Sequence, residues 1–425
     1  MSSFKDLLVT QICVPLILSL LLLSSVESAI PWQNSPAIKD MFGLRAAAGV
    51  DTLQQWYNIT TGLWDTTGWW NSANALTTIA DYTVLNMSYS AEAGLVFSNT
   101  FVNAQKQSIS YLKRVNKDMM TTYTWPNIPP GLSSFARTES QGFQSFLNDY
   151  YDDEGWWALA WLKAFDVTGE EEYLQAALDI FEDMKAGTDT TCGGIWWDKS
   201  HSYNSAIANE LFFAVAAHLA NRSTSKQYHL SWAQKQWEWF QASGLINRQF
   251  NINDGLNSTC HNNNGTVWSY NQGVVLGGLV ELNKAAPNSS SDSSPLAWAE
   301  LIANAAIRKL CDGNGTLHDP CEPNCGGDGS QFKGIFMRNL QTLQEVVPKP
   351  LYADVIKKNA ESIWSRSRNV ENRLGLVWSG PYTNSTTAST QSSACDALIA
   401  AAAMSPSALN PRSPCRAMPQ KFLGT

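Results

Sequence analysis

Two adjacent carboxylates, Asp152 and Asp153, stand in the segment Tyr150-Tyr151-Asp152-Asp153-Glu154-Gly155-Trp156-Trp157-Ala158-Leu159-Ala160-Trp161. Considered alone, acids just before an apolar helix are helix caps, stabilised by free backbone N–H groups and the helix dipole. The aromatic company suggests more. Hydrolysis of a glycosidic bond needs two carboxyl groups, and retaining enzymes hold them about 5–5.5 Å apart. Neighbouring residues can reach that separation without help from a distant loop. One would attack the anomeric carbon while the other delivers a proton, and spacing alone leaves open which does which. Flat amphipathic rings suit the C–H face of a sugar, and the chain holds 18 Trp and 13 Tyr, more indole than a core requires.

Further candidates cluster near similar helix heads. Trp69-Trp70, Trp156-Trp157 and Trp196-Trp197 are doublets whose two members must face different ways, and Trp70, Trp157 and Trp197 are taken as the cleft-facing members. Asn71, Asn204, Asn209, Tyr270, Asn271 and Gln272 can hydrogen-bond sugar hydroxyls, or equally cap helices and bridge them. Asp254-Gly255 alone reads as a turn. Lys333 and Arg338 are either substrate contacts or paired charges below a rim. The five His residues show no ligand spacing, so no metal and no cofactor are assigned.

The elements that must position these residues come from an internal repeat, which is settled first because it fixes architecture. Aromatic heads recur at Gly68-Trp69-Trp70-Asn71, Gly155-Trp156-Trp157, Ile195-Trp196-Trp197, Trp268-Ser269-Tyr270-Asn271-Gln272, Gln331-Phe332-Lys333 and Val377-Trp378. Apolar helices follow them, as in Ala206 to Ala220, and a helix apolar on every side is buried. Between the heads lie amphipathic stretches at 37–58, 97–118, 171–186, 226–243, 295–312 and 350–368, with inner helices starting near 69, 152, 202, 269, 331 and 390. Six outer–inner hairpins predict an all-α fold, an (α/α)6 toroid around a central cleft, with little β-structure.

Bulk features set the compartment. Lys5, the apolar run Leu7 to Leu23 and the small residues to Ala29 have the layout of a secretory signal peptide cleaved after Ser28. Residues 29–404 then form the catalytic domain, and 405–425 are expected to be a disordered tail. Eight N-glycosylation sequons begin at Asn58, Asn86, Asn221, Asn257, Asn264, Asn288, Asn314 and Asn384. A net charge of −8 with 29 basic residues argues against a nucleic-acid partner. Seven cysteines follow Ser28, which in an oxidising compartment predicts disulfides with a thiol left over. Cys321 and Cys325, in a Pro/Gly-rich loop without a second ligand pair, read as a disulfide rather than a metal site. The expectation is a secreted, extracellular or wall-associated monomer without a stable membrane anchor.

The motif Asp152-Asp153-Glu154-Gly155-Trp156-Trp157 resembles the paired-aspartate motif of the α-1,6-mannanases of glycoside hydrolase family 76. Gly193-Gly194-Ile195-Trp196-Trp197, Asn204 to Phe212, Asn253-Asp254-Gly255-Leu256, Trp268 to Gly273 and Phe332 to Arg338 are similar to further family segments, in order, over nearly the whole chain. The resemblance implies endo-hydrolysis of α-1,6-linked mannan, or another mannose-rich cell-wall glycan, with retention. Asp152 would be the nucleophile, Asp153 the acid/base, and Asp254 a ligand of mannose hydroxyls. Two rivals remain open: a wall transglycosylase acting on glycosylphosphatidylinositol glycans, disfavoured because Pro414 to Thr425 lacks an apolar anchor signal, and a non-catalytic mannan-binding toroid.

Overall fold

A computed structural model describes residues 41–106, 112–115, 121–124, 144–287 and 294–404. The leader, the tail after Met404 and the sequon at Asn288 lie outside the described residues. Twelve α-helices follow in order: α1 (Met41–Gln54), α2 (Trp69–Leu85), α3 (Ser90–Asn103), α4 (Tyr151–Thr168), α5 (Glu171–Ala186), α6 (Ala206–Ala220), α7 (Lys226–Ala242), α8 (Ser269–Ala285), α9 (Pro295–Leu310), α10 (Phe332–Val346), α11 (Pro350–Arg366) and α12 (Ala388–Ala403).

The even-numbered helices form the inner ring. Each packs on the next, α2 on α4, then α6, α8, α10 and α12, and α12 returns to α2 to close the circle. The odd-numbered helices lie outside, α5 on α4, α7 on α6, α9 on α8, α11 between α10 and α12, and α1 on α12. This is the (α/α)6 toroid read from the repeat. Inner helices approach closely because small residues stand where they touch. A Cβ on Gly273 would lie 2.7 Å from the Phe336 Cα, and one on Gly334 would lie 2.5 Å from the Ser393 Cα. Neither distance is sterically possible without moving a backbone.

One outer element differs from expectation. The stretch 97–118 is not one helix: α3 ends at Asn103, and Leu112–Val115 pairs antiparallel with Thr121–Thr124. Thr and Tyr in that second strand favour an extended ladder over a helix.

A recurring clamp joins the ring to its connecting loops. Asn209 accepts from the Ile195 N–H (2.8 Å) and donates to the Ile195 C=O (3.1 Å). Gln272 does the same to Ile252, at 2.8 and 2.9 Å. Asn359 accepts from the Leu317 N–H and Gln391 from the Leu374 N–H, both at 2.8 Å. Each amide satisfies a backbone N–H of a buried loop residue that points away from the loop's own short bridge or turn. Two disulfides add covalent ties, Cys192–Cys260 and Cys321–Cys325, and leave Cys311 and Cys395 as free thiols among the described residues.

Candidate active site

The first turn of α4 carries the acid pair. The cap residue is Tyr150, whose side chain makes no capping bond, so Asp152 and Asp153 are the second and third helical residues rather than the cap itself. They still lie where the helix dipole favours negative charge. The strand-like entry to α4 is stitched to the next rim loop: the Tyr151 N–H donates to the Trp197 C=O (3.0 Å), and Lys199 N–H to the Asp149 C=O (2.9 Å). That stitching sets Trp197 beside the acids.

Asp152 lines an open cleft of about 480 Å3 together with Trp70, Trp156, Trp197, Tyr203, Ser205, Ile207, Asp254, Trp268, Tyr270, Asp328 and Phe332. The floor is a row of aromatic rings. Phe332 stacks on Tyr270 (3.8 Å between centroids, 9° between planes), Tyr270 on Trp156 (6.4 Å, 22°) and Trp156 on Trp70 (5.5 Å, 20°). Four inner helices therefore meet across the axis through their rings. The lining holds three acids and no Lys or Arg, so it offers a sugar hydrogen-bond acceptors and flat apolar faces.

Asp153 is 1 % exposed and is not part of the cleft lining. Its Oδ2 accepts from the Asn148 amide at 2.8 Å, while the Asn148 backbone N–H donates to Glu154 (2.7 Å). Glu154 is fully buried and pairs with Lys199 at 2.9 Å; burial and the nearby Asp183 push its pKa well above the usual carboxylate range. Asp254 is the second acid of the cleft. It accepts from the Tyr203 hydroxyl (2.6 Å) and the Trp268 indole N–H (3.1 Å). Burial raises its pKa to about 6, against the lowering effect of those two donors.

Of the residues expected at the site, Trp70, Trp197, Asp254 and Tyr270 line the cleft with Asp152. Others have different work. Trp157 is fully buried among Trp69, Phe146 and Trp161. Asn209 and Gln272 are the clamp amides described above, and Asn204 donates to Thr190 and Gly193. Asn71 accepts from the Gly68 N–H and donates to Gln331 (2.9 Å). Asn271 is buried outside the lining. Lys333 is paired with Glu322, and Arg338 with Asp396 and Asn74, which is the paired-charge reading. An Asn or Gln side chain offers the same atoms to a sugar and to a backbone, which is why sequence alone did not separate these roles.

Trp156, Tyr203, Ser205, Ile207, Trp268, Asp328 and Phe332 were missed. For Trp156 a signal existed: it is four residues after Asp152, hence on the same helix face, whereas Trp157 is turned about 100° away. Asp328 sits in an irregular loop, where no periodicity points.

Of the sequon asparagines, Asn221, Asn257, Asn264, Asn314 and Asn384 are exposed and Asn58 is half-buried. Asn86 departs from expectation. It is buried, with its amide nitrogen on the Tyr82 hydroxyl (3.2 Å), so a glycan there would have to displace that contact. Among the described residues no group of three His, Cys, Asp or Glu could hold a metal ion, and no helix is long and apolar enough to cross a membrane.

A closed ring of six helix hairpins with an acidic, aromatic cleft at one end defines the class. Residues 50–411 match the profile described as Glycosyl hydrolase family 76, and the chain belongs to that family. Among characterised relatives, it is 30 % identical over 217 residues to the mannan endo-1,6-alpha-mannosidase DCW1 of Saccharomyces cerevisiae, covering 47 % of each chain. It is 28 % identical to the protein of the same name from Candida albicans, covering 47 % of this chain and 48 % of that one. The matched part thus spans about half the length of these relatives. Two solved structures share the fold. One is an inactive variant of the α-1,6-mannanase GH76A of Salegentibacter sp. HEL1_6, two consecutive aspartates replaced by asparagine, in complex with α-1,6-mannotriose (TM-score 0.67, 19 % identity, 85 % of this chain and 99 % of that one). The other is Dfg5 from Chaetomium thermophilum in complex with glucosamine (TM-score 0.66, 20 % identity, 86 % and 91 %).

Proposed function

We propose that this protein is a secreted endo-hydrolase of α-1,6-linked mannan that acts with retention through Asp152 and Asp153. The observation that carries the reading is the position of Asp152: an acid at the head of an inner helix, in an aromatic cleft whose other charged groups are also acids. The name shared by the fungal relatives and the mannotriose complex of the Salegentibacter mannanase support α-1,6-mannan as substrate. That enzyme's paired Asp-to-Asn inactivation is consistent with a role for two neighbouring carboxylates. Exposed sequons and two disulfides suit an oxidising, extracellular setting.

A mannosyl unit settles against the aromatic floor, its hydroxyls donating to Asp254. An Asp152 carboxylate oxygen attacks the anomeric carbon as the glycosidic C–O bond breaks, and Asp153 gives its proton to the departing oxygen. Water then attacks the mannosyl–Asp152 ester. Asp153 accepts the water's proton, and the product leaves with its original anomeric configuration.

A sugar hydroxyl in place of that water would give transfer instead of hydrolysis, from the same intermediate. The test is a product profile on linear α-1,6-mannan with and without an added acceptor sugar. Shortened α-1,6-manno-oligosaccharides in the absence of acceptor support hydrolysis, elongated products alone support transfer, and an unchanged polymer in both would end the enzymatic reading.

A further inference from the structure

The loop between α9 and α10, residues 311–331, brings two acids to the cleft end of the barrel. Asp319 holds the head of α8, accepting from the Ser269 N–H (2.9 Å) and hydroxyl (2.6 Å). Asp328 is 1 % exposed and lines the cleft. Apart from a short 3-10 turn at Gly329–Gln331, this loop has no helix to fix it.

What crosses it is a line of four charged side chains. Lys333, on α10, donates to Glu322 Oε1 and to the Leu376 C=O (2.7 Å), with its ammonium 4.5 Å from the centre of the Trp378 ring. Glu322 Oε1 also accepts from the Asp319 N–H (3.1 Å), and its Oε2 meets His318 Nδ1 at 2.7 Å. The far ring nitrogen of His318 lies 3.5 Å from Asp312. Lys333 and Glu322 are buried, while His318 and Asp312 are each about one-third exposed. The line therefore runs from solvent into the barrel wall, and none of its four members lines the cleft.

A buried ammonium demands a fixed counter-charge, so Glu322 is pinned by Lys333. Glu322 in turn fixes both the Asp319 backbone and His318, within one turn of the Cys321–Cys325 tie. We infer that Asp312, His318, Glu322 and Lys333 form a strut that positions Asp328 as an acceptor for substrate hydroxyls, and that the strut is complete only when His318 carries its proton. A neutral imidazole has one N–H and serves one of its two carboxylates; the imidazolium serves both. The groups facing His318 are Glu322 and Asp312, with Lys333 behind Glu322, and the Glu322 hydrogen bond raises the His318 pKa above its ordinary value. The raised value means the imidazolium belongs to the assembled strut, which is complete at low pH and loses a contact as pH rises through it.

The inference rests on reading the cleft as a mannan site, and the test separates the two. Binding of α-1,6-mannotriose is measured by calorimetry in an Asp152→Asn background, which does not turn over, from pH 5 to 8. Adding Asp328→Asn is expected to weaken binding ~10–100-fold, the effect of losing a hydrogen bond to a charged group. In the parent, affinity falls as pH rises; His318→Gln, which keeps a donor but cannot titrate, is expected to reduce that dependence to the part set by Asp254, which titrates near 6 in the same cleft. His318 is partly exposed, so this second variant keeps the test open should Asp328→Asn fail to fold. Unchanged affinity in Asp328→Asn, or a His318→Gln profile that follows the parent, overturns the strut. Absence of mannotriose binding by the parent at every pH sinks the mannan reading instead.

Discussion

Asp152 and Trp156 stand one turn apart on α4 and face the same cleft. Their sequence neighbours are more deeply buried: Asp153 accepts from Asn148, and Trp157 is locked in a cluster of rings. One helix thus presents a carboxylate and an aromatic platform in register, and buries the adjacent indole behind them.

The division of labour within the acid pair is open to a leaving-group test. Asp152→Asn and Asp153→Asn should both keep the fold and lose activity on mannan, the latter by about 10²–10⁴-fold if it supplies only proton transfer. An aryl α-mannoside with a good leaving group needs no proton for the first step. Asp153→Asn should recover that step as a burst of released phenol, and Asp152→Asn should not. Recovery in the opposite variant would reverse the assignment.

The tryptophan doublet gives a contrast between two adjacent residues. Trp156→Phe should raise KM for manno-oligosaccharides several-fold, because its ring is part of the cleft floor. Trp157→Phe should leave KM alone and lower stability, since it trims a fully buried ring and leaves unfilled space. A KM change confined to Trp157→Phe would mean the wrong ring had been placed at the cleft.

Asp254 links the site to pH. Its carboxyl has a folded pKa of about 6, raised from 3.8 by burial. Between those values the unfolded chain has already ionised while the folded chain retains the proton, so stability falls as pH rises from about 4 to 6. The full effect is on the order of 3 kcal/mol. Asp254→Asn removes the titration, so the melting temperature of the variant relative to wild type should improve between pH 4 and pH 7, whatever its offset. A constant difference across that range would show that Asp254 is not the group responsible. Substrate affinity should fall at every pH.

Cys192–Cys260 ties the loop bearing Trp197 and Tyr203 to the loop bearing Asp254, across 68 residues of chain. Loss of a cross-link of that span costs about 4 kcal/mol in the chain-entropy description. A Cys192→Ser/Cys260→Ser variant should melt well below wild type and show a higher KM, because both loops line the cleft. Equal KM at a temperature where the variant is folded would confine the disulfide to stability alone.

How much of this was legible beforehand depended on whether periodicity or chemistry carried the signal. The ring of helices was, because apolar residues nearly all round Ala206 to Ala220 or Gly273 to Leu282 have no other place to go. Asp152 was, since its aromatic neighbours lie in the same segment. The amide clamps were not. Asn209 and Gln272 sit near the aromatic heads, as a sugar ligand would, yet each serves the backbone of a neighbouring loop. Lys333 and Arg338 were ambiguous for the same reason, since their partners Glu322 and Asp396 lie 11 and 58 residues away. Asp328 depends on a loop path that only the folded chain reveals.

The ring closes between its last helix and its first. The Ala388 N–H donates to the Thr66 hydroxyl (3.0 Å), Ser389 meets Thr67, and the Thr78 hydroxyl donates to Asp396 (2.7 Å). These contacts span 318 to 322 residues. During synthesis the first helices must therefore wait, with an apolar flank uncovered, until almost the whole chain has been made. The cleft floor is assembled in the same late event, because Trp70 stands on one side of that seam and Phe332 is carried by the helix packed against the other. A chain released before residue 388 would carry Asp152 at the head of its helix but no finished cleft around it.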